Sequence, residues 1–181
     1  MAMTQLMTAK DLAQLPDDGY QYELIRGELI RMPPASSRHS ARAMWVGHQF
    51  LIYVNVHGGL VTGPDGGFQI EVDPDTVVAP DVAYIRADRV PPDEELDRYA
   101  RLAPDVVVEI LSPSDRPGQL RERIALYREV GVRLTIITDP RRRRVSLHYQ
   151  DGEVIELAED DTFDGGEVMP GFRLPVAEFL R

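Results

Sequence analysis

Residues 104–140 read P-D-V-V-V-E-I-L-S-P-S-D-R-P-G-Q-L-R-E-R-I-A-L-Y-R-E-V-G-V-R-L-T-I-I-T-D-P, and their pattern sets the topology of the chain around them. Val106, Val107 and Val108 lead into Ile110 and Leu111, a near-continuous apolar run of the kind found in strands buried on both faces. Glu109 interrupts that run. An unpaired carboxylate there would be costly, so it must meet a cation, bind a metal or keep its proton. After a polar Ser-Pro-Ser-Asp loop, Leu120, Ile124 and Tyr127 fall on one helical face, and Gly131 ends the helix. Leu134 to Ile137 form a second apolar run. Strand, crossover helix and strand make a βαβ unit with one acid planted in its first strand.

Upstream, Val77 to Ile85 reads as one strand carrying Pro80-Asp81 in its first half, followed by a charged segment, 86–103, with a short helix near Glu94 to Tyr99. If that strand neighbours the one bearing Glu109, the carboxylates of Asp81 and Glu109 converge at one end of the sheet. Hard oxygen ligands in an open site suit Mg²⁺ or Mn²⁺, whereas the plainer alternative is a carboxylate at a strand end that meets an arginine. Phe68, Ile70 and Val72 alternate as a half-buried strand before the turn Asp73-Pro74-Asp75. Arg38 to His57, with Met44, Trp45, Leu51 and Ile52, is expected to be a mostly buried helix closed by Gly58-Gly59. Its spacing makes His48 a core histidine, while His39 near the helix start reads as a surface histidine or a phosphate contact.

Tyr20 to Ile25 and Glu28 to Met32 form a hairpin turning at Arg26-Gly27, preceded by a capped helix start at Thr8-Ala-Lys-Asp11. Beyond the βαβ unit, Arg141 to Arg144 suit a solvated hairpin tip, and Val145 to Tyr149 and Val154 to Leu157 are strands about an Asp151-Gly152 turn. The tail from Pro170 to Leu180 closes on the core. Gly63 to Gly67 is turn chemistry without the strand and helix context of a phosphate-binding loop.

A chain of 181 residues with 43% hydrophobic content is expected to form one domain, 1–181, with a sizeable core. No stretch matches a membrane span or signal peptide, and the absence of cysteine fits a cytoplasmic protein. The net charge of −10 argues against non-specific coating of nucleic acid, which rests on neutralising phosphates; a local basic groove or bound metal ions could still do so.

P-D-V-A-Y-I (80–85), P-D-V-V-V-E-I-L-S-P-S (104–114), Y-R-E-V-G-V (127–132) and I-T-D-P (137–140), with Y-E-L-I-R-G-E-L (22–29) and Ser37 and His39 before the long helix, occur in one order and spacing. In this the chain resembles the bacterial putative restriction endonuclease family of the PD-(D/E)XK nuclease superfamily, over roughly residues 20–150. The resemblance implies a mixed α/β fold: a restriction-endonuclease-like α-β-β-β-α-β core, here with an N-terminal hairpin and extra C-terminal strands. It also implies Mg²⁺ (or Mn²⁺) dependence and cleavage of DNA phosphodiesters, with Asp81 and Glu109 as the metal-binding carboxylates. Glu23, His39 and Tyr127 fall at auxiliary positions, and a homodimer would suit cleavage of two strands.

One element departs from the pattern. The superfamily places a lysine two residues after the second carboxylate, where this chain has Leu111, and in this family the lysine typically moves one turn ahead of the helix tyrosine. That position is Arg123, and Lys10 is the chain's only lysine. Arginine keeps the charge and grips phosphate in a fork, but its pKa above 12 rules it out as a base. Two readings stand: a metal-dependent DNA endonuclease using Asp81, Glu109 and Arg123, and a binding or regulatory module on the same fold. Helix propensity alone predicts that the helix accepts Lys or Ala at position 123.

Overall fold

The computed structural model describes residues 6–113 and 115–181, so Ser114 of the Ser-Pro-Ser-Asp loop lies outside the described residues. Thr8 caps a short helix, α1 (Ala9–Leu12), and Asp11 reaches back to complete a capping box. β1 (Gln21–Ile25) and β2 (Glu28–Met32) pair antiparallel with Ile25 opposite Glu28. Only two residues remain for the turn. Arg26 (φ 50°) and Gly27 (φ 82°) both take the left-handed conformation that a tight hairpin requires to match strand twist. The chain continues through α2 (Ser37–His57), β3 (Leu60–Thr62), β4 (Phe68–Glu71), β5 (Thr76–Val78), β6 (Val82–Ile85), α3 (Asp93–Leu96), β7 (Val106–Ile110), α4 (Pro117–Glu129) and β8 (Leu134–Asp139). It ends with β9 (Arg144–Tyr149), β10 (Val154–Ala158), β11 (Thr162–Asp164), β12 (Arg173–Pro175) and α5 (Val176–Phe179).

The largest sheet has the order β10-β9-β8-β7-β6-β3. β7 and β8 are parallel, from Val106 opposite Leu134 to Ile110 opposite Thr138, with α4 as their crossover; the other pairs are antiparallel. Read along the chain, α2-β3-β6-β7-α4-β8 is the expected α-β-β-β-α-β core, extended by β9 and β10. The hairpin joins a second sheet, β2-β1-β5-β4, and β11 pairs with β12.

Val77 to Ile85 is not one strand. β5 belongs to the second sheet and β6 to the first, and the chain changes sheets through Ala79, Pro80 and Asp81. Proline has no N–H to offer a ladder, so pairing lapses there and can resume on a new partner.

Alternation along β7 divides the interior. Val106, Val108 and Ile110 pack with Val82 and Tyr84 against Ala43, Val46, Phe50 and Tyr53 of α2. Val107 faces the other way, with Ala83 and Ile85, towards Leu126 and Tyr127 of α4. Residue 109 shares the parity of 107, so Glu109 is aimed at α4 rather than α2.

Helix α2 is buried along one stripe only. Ala43, Val46, Gly47, Phe50 and Tyr53 follow the 3.6-residue period, while Met44 (68% exposed), Leu51, Ile52 and His48 face outward. His48 is therefore a surface residue, not the core histidine that its spacing from Met44 and Ile52 suggests, because both of those neighbours lie on the open side. The tail closes on α2 as expected. Phe172, Leu174, Val176, Phe179 and Leu180 are buried, Trp45 donates its indole N–H to Glu178 (2.9 Å), and the Arg181 guanidinium stacks over the Trp45 ring. Among the described residues no helix is long and apolar enough to cross a membrane.

Candidate active site

The register of β6 on β7 sets Val82 opposite Val108, and one step further along the same ladder brings Asp81 beside Glu109. The backbone fixes both. Asp81 Oδ2 accepts the Ile110 N–H at 2.7 Å, so the carboxylate is tethered to the strand that carries its neighbour. Glu109 Oε1 accepts the Tyr127 hydroxyl at 2.6 Å and faces Arg123 Nη1 at 3.4 Å. Arg123 and Tyr127 are one helical turn apart on α4, the spacing that puts two side chains on the same face.

A third acid enters from the other sheet. Glu23 of β1 is 1% exposed, and its Oε1 accepts the Ala79 N–H at 2.9 Å, holding the link that leads to Asp81. Arg123 grips this carboxylate with both arms, Nη1 to Oε1 at 3.0 Å and Nη2 to Oε2. One guanidinium thus answers two carboxylates, Glu23 by a bidentate bond and Glu109 at longer range.

His39 completes the cluster from the start of α2. Ser36 caps that helix and accepts the His39 N–H at 3.3 Å, which fixes the first turn over the ends of β6 and β7. The ring Nε2 lies 2.8 Å from the Ile110 carbonyl oxygen and 3.3 Å from Asp81 Oδ2. With its side chain 17% exposed, His39 is a residue of this cluster rather than a surface histidine.

Burial pushes the Glu109 carboxyl up to about 7; Arg123 and the Tyr127 hydroxyl oppose that shift, while the charges of Asp81 and Glu23 add to it. Burial, and next the charge of Glu109, hold the Tyr127 phenol well above its ordinary value, so it stays a donor. The hydrogen bond that His39 donates to the Asp81 carboxylate raises its imidazole above the ordinary value, with burial working against it.

The structure brings together Asp81, Glu109, Arg123, Glu23, Tyr127 and His39, all of them marked in the sequence. The Ile110 backbone was not marked, since a main-chain group leaves no compositional trace. Asp105 was passed over too. It follows a proline as Asp81 does, yet it is fully buried, accepts the Arg86 N–H at 2.9 Å and pairs with Arg89 at 2.8 Å, away from the cluster. Arg141 to Arg144 are exposed at a hairpin tip.

The donor set suits a hard cation. Asp81 Oδ1 and Glu109 Oε2 have no hydrogen-bond partner among the described residues, and the charge of Asp81 disfavours the ionised form of Glu109. Among the described residues no three His, Asp or Glu side chains are gathered tightly enough to enclose an ion unaided. Mg²⁺ retains several waters and is commonly held by one or two carboxylates.

The fold has a solved counterpart. The crystal structure described as a putative nuclease belonging to DUF820 from Anabaena variabilis ATCC 29413 superposes with a TM-score of 0.81. The match covers 96% of this chain and 97% of that one at 19% identity, which establishes a shared architecture. No curated protein matches the chain. A family model does, along residues 9–177, from α1 to α5 and so across every residue of the cluster: the chain belongs to the Uma2 family, described as Putative restriction endonuclease.

Proposed function

We propose that the chain, acting as a single nuclease unit, is a divalent-metal-dependent endonuclease that hydrolyses DNA phosphodiester bonds at the Asp81–Glu109 cluster. The observation that carries this reading is the placement of two carboxylates, one at the entry to β6 and one on the adjacent antiparallel β7, side by side, each with one oxygen uncommitted, next to a half-buried arginine. Asp81 and Glu109 would hold Mg²⁺ or Mn²⁺. When bound, the ion supplies Lewis acidity towards the phosphoryl oxygen and lowers the pKa of a water.

The protein's own groups do the rest. Tyr127 and the Ile110 N–H orient the two carboxylates, and a carboxylate whose rotamer is fixed costs little to reorganise when it binds. Arg123 contributes positive charge that cannot be lost at any working pH, which stabilises charge growing on a phosphate without moving a proton. Cutting both strands of a duplex calls for two such sites, so a second copy of the chain is the partner to look for by sedimentation.

The bidentate bond between Arg123 and Glu23 favours a second reading, in which the arginine chiefly neutralises buried acids and the domain binds without cutting. Incubation of plasmid DNA with the protein and Mn²⁺ or Mg²⁺ separates them. Nicking that is lost in Asp81→Ala and Glu109→Ala supports the endonuclease. Intact plasmid, with DNA retained in a gel-shift assay, supports the binding module.

A further inference from the structure

We infer that a recess beside the cluster, between the approach to β1, the first turn of α2 and the loop after β3, receives an unpaired DNA base carrying an amino group, adenine or cytosine, next to the phosphate being cut. This names the substrate class of the endonuclease reading above and rests on it.

The recess has a volume of about 420 Å³ and is lined by Asp17, Gln21, Pro34, Ser40, Pro64 and Asp65, among others. That volume lies in the range of small-ligand sites. Two of these residues tie it to the cluster. Gln21 stands two positions before Glu23 on β1, so their side chains leave the same face of the strand about 7 Å apart. Ser40 follows His39 in the first turn of α2. A DNA strand with a phosphate at Asp81 and Glu109 therefore brings a neighbouring nucleotide to the mouth of the recess.

Charge decides which end of that nucleotide enters. The carboxylates of Asp17 and Asp65 repel a phosphate, whereas a base carries no charge. Gln21 Nε2 donates to Asp65 Oδ1, and Asp17 Oδ1 accepts the Gly19 N–H at 3.2 Å. Asp65 Oδ2, Asp17 Oδ2 and Gln21 Oε1 have no hydrogen-bond partner among the described residues. Apart from the Ser40 hydroxyl, the side-chain groups left on offer are thus acceptors. Acceptors select an exocyclic N–H₂, which adenine and cytosine carry where thymine has a carbonyl oxygen. Pro34 and Pro64 add apolar wall for the flat faces of a ring.

Shape decides strandedness. Duplex grooves are read by helices and ribbons that protrude into them, whereas a concave site has to be entered by the base itself. The base must then be out of the stack, as in a single strand or after flipping.

The test uses the whole chain with Mn²⁺ and an end-labelled DNA single strand in which all four bases are equally frequent. The wild type should cut beside A or C about tenfold more often than beside T. It should cut the same strand more slowly once annealed to its complement, because flipping has to come first. Asp65→Asn is the second arm. Asp65 is exposed at φ 76°, a left-handed conformation that asparagine adopts readily, so the loop is kept. Asparagine Oδ1 still accepts from Gln21, and its N–H₂ then stands in place of Oδ2, a donor instead of an acceptor. Preference should move from A and C towards T, a change that a merely structural aspartate would not cause. Even cutting beside all four bases, an unmoved preference in Asp65→Asn, or a duplex cut as fast as the single strand overturns this inference and leaves the endonuclease reading standing. Failure to cut either form of DNA removes the endonuclease reading itself, and this inference with it.

Discussion

Arg123 of α4 and Glu23 of β1, 100 residues apart in the chain, are joined by a bidentate ion pair between that helix and the second sheet, with the Glu23 side chain 1% exposed. Helix propensity sees only that Ala suits position 123, but the pair makes Arg123 the main counter-charge of a buried acid. Removing one member of a buried pair leaves the other uncompensated, at about 3–5 kcal/mol. Arg123→Ala is therefore expected to lose about 3 kcal/mol in urea unfolding at neutral pH, and Glu23→Gln/Arg123→Ala less than the sum of its two single changes. Arg26, itself exposed and paired with the half-buried Glu71 and the exposed Glu129, provides the control: Arg26→Ala should lose far less stability than Arg123→Ala. Equal losses for the two arginines would remove the structural role assigned to Arg123.

Glu109 makes stability depend on pH. It is faced by Arg123 and Tyr127 of α4, by Asp81 just before β6 and by Glu23 from β1. In the folded protein it keeps its proton up to about 7, against 4.5 as the ordinary value, so the folded state binds more protons between those limits. Its contribution to stability is fully present below about 4.5 and is lost as pH rises through about 7. Glu109→Gln, neutral at every pH, should flatten this part of the melting-temperature profile and be the more stable protein at pH 8, by on the order of 1–3 kcal/mol. Parallel profiles for the two proteins would refute the assignment.

Metal should act in the opposite sense. An ion bound only by the folded state stabilises by mass action, about 2.7 kcal/mol at a hundred times Kd, which is several degrees for a chain of this size. Scanning calorimetry is expected to show Mn²⁺ or Mg²⁺ raising Tm in the wild type and leaving Asp81→Ala and Glu109→Ala unmoved. A rise that survives in both variants would place the ion elsewhere.

The sequence exposed the acids because each breaks a local rule: Glu109 is a charge in a valine run, and Asp81 follows a proline. The βαβ unit was equally plain, since its helix and strands differ in period. Less visible was the change of sheet at Pro80. Periodicity reports that Val77, Val78 and Val82 are buried, but not which partner each strand pairs with. Pairing is settled by tertiary contacts, and so the bond between Glu23 and the Ala79 N–H could not be read in advance. His39 was legible as a residue near a helix start, yet its place in the cluster is fixed partly by the Ile110 carbonyl, which every residue type presents alike. His48 shows the converse error. Apolar spacing marks a face, but α2 carries two apolar faces and only the one holding Val46 and Phe50 meets the sheet.

Arg123→Lys separates the endonuclease from the binding module. The guanidinium spends its fork on Glu23, whereas an ammonium at the end of a flexible stem is a compact charge that bonds one oxygen at a time and can turn towards the Asp81–Glu109 side. Lysine can also release a proton, which arginine cannot. With Mn²⁺, Arg123→Lys is expected to nick plasmid about tenfold faster than the wild type, in the low range of proton-transfer effects, while losing less stability than Arg123→Ala because a charge still faces Glu23. Arg123→Ala should fall below the wild type in cleavage. If wild type and Arg123→Lys both bind Mn²⁺ and both leave plasmid intact, the endonuclease reading fails, and the cluster is then a charge-balanced core beneath a binding surface.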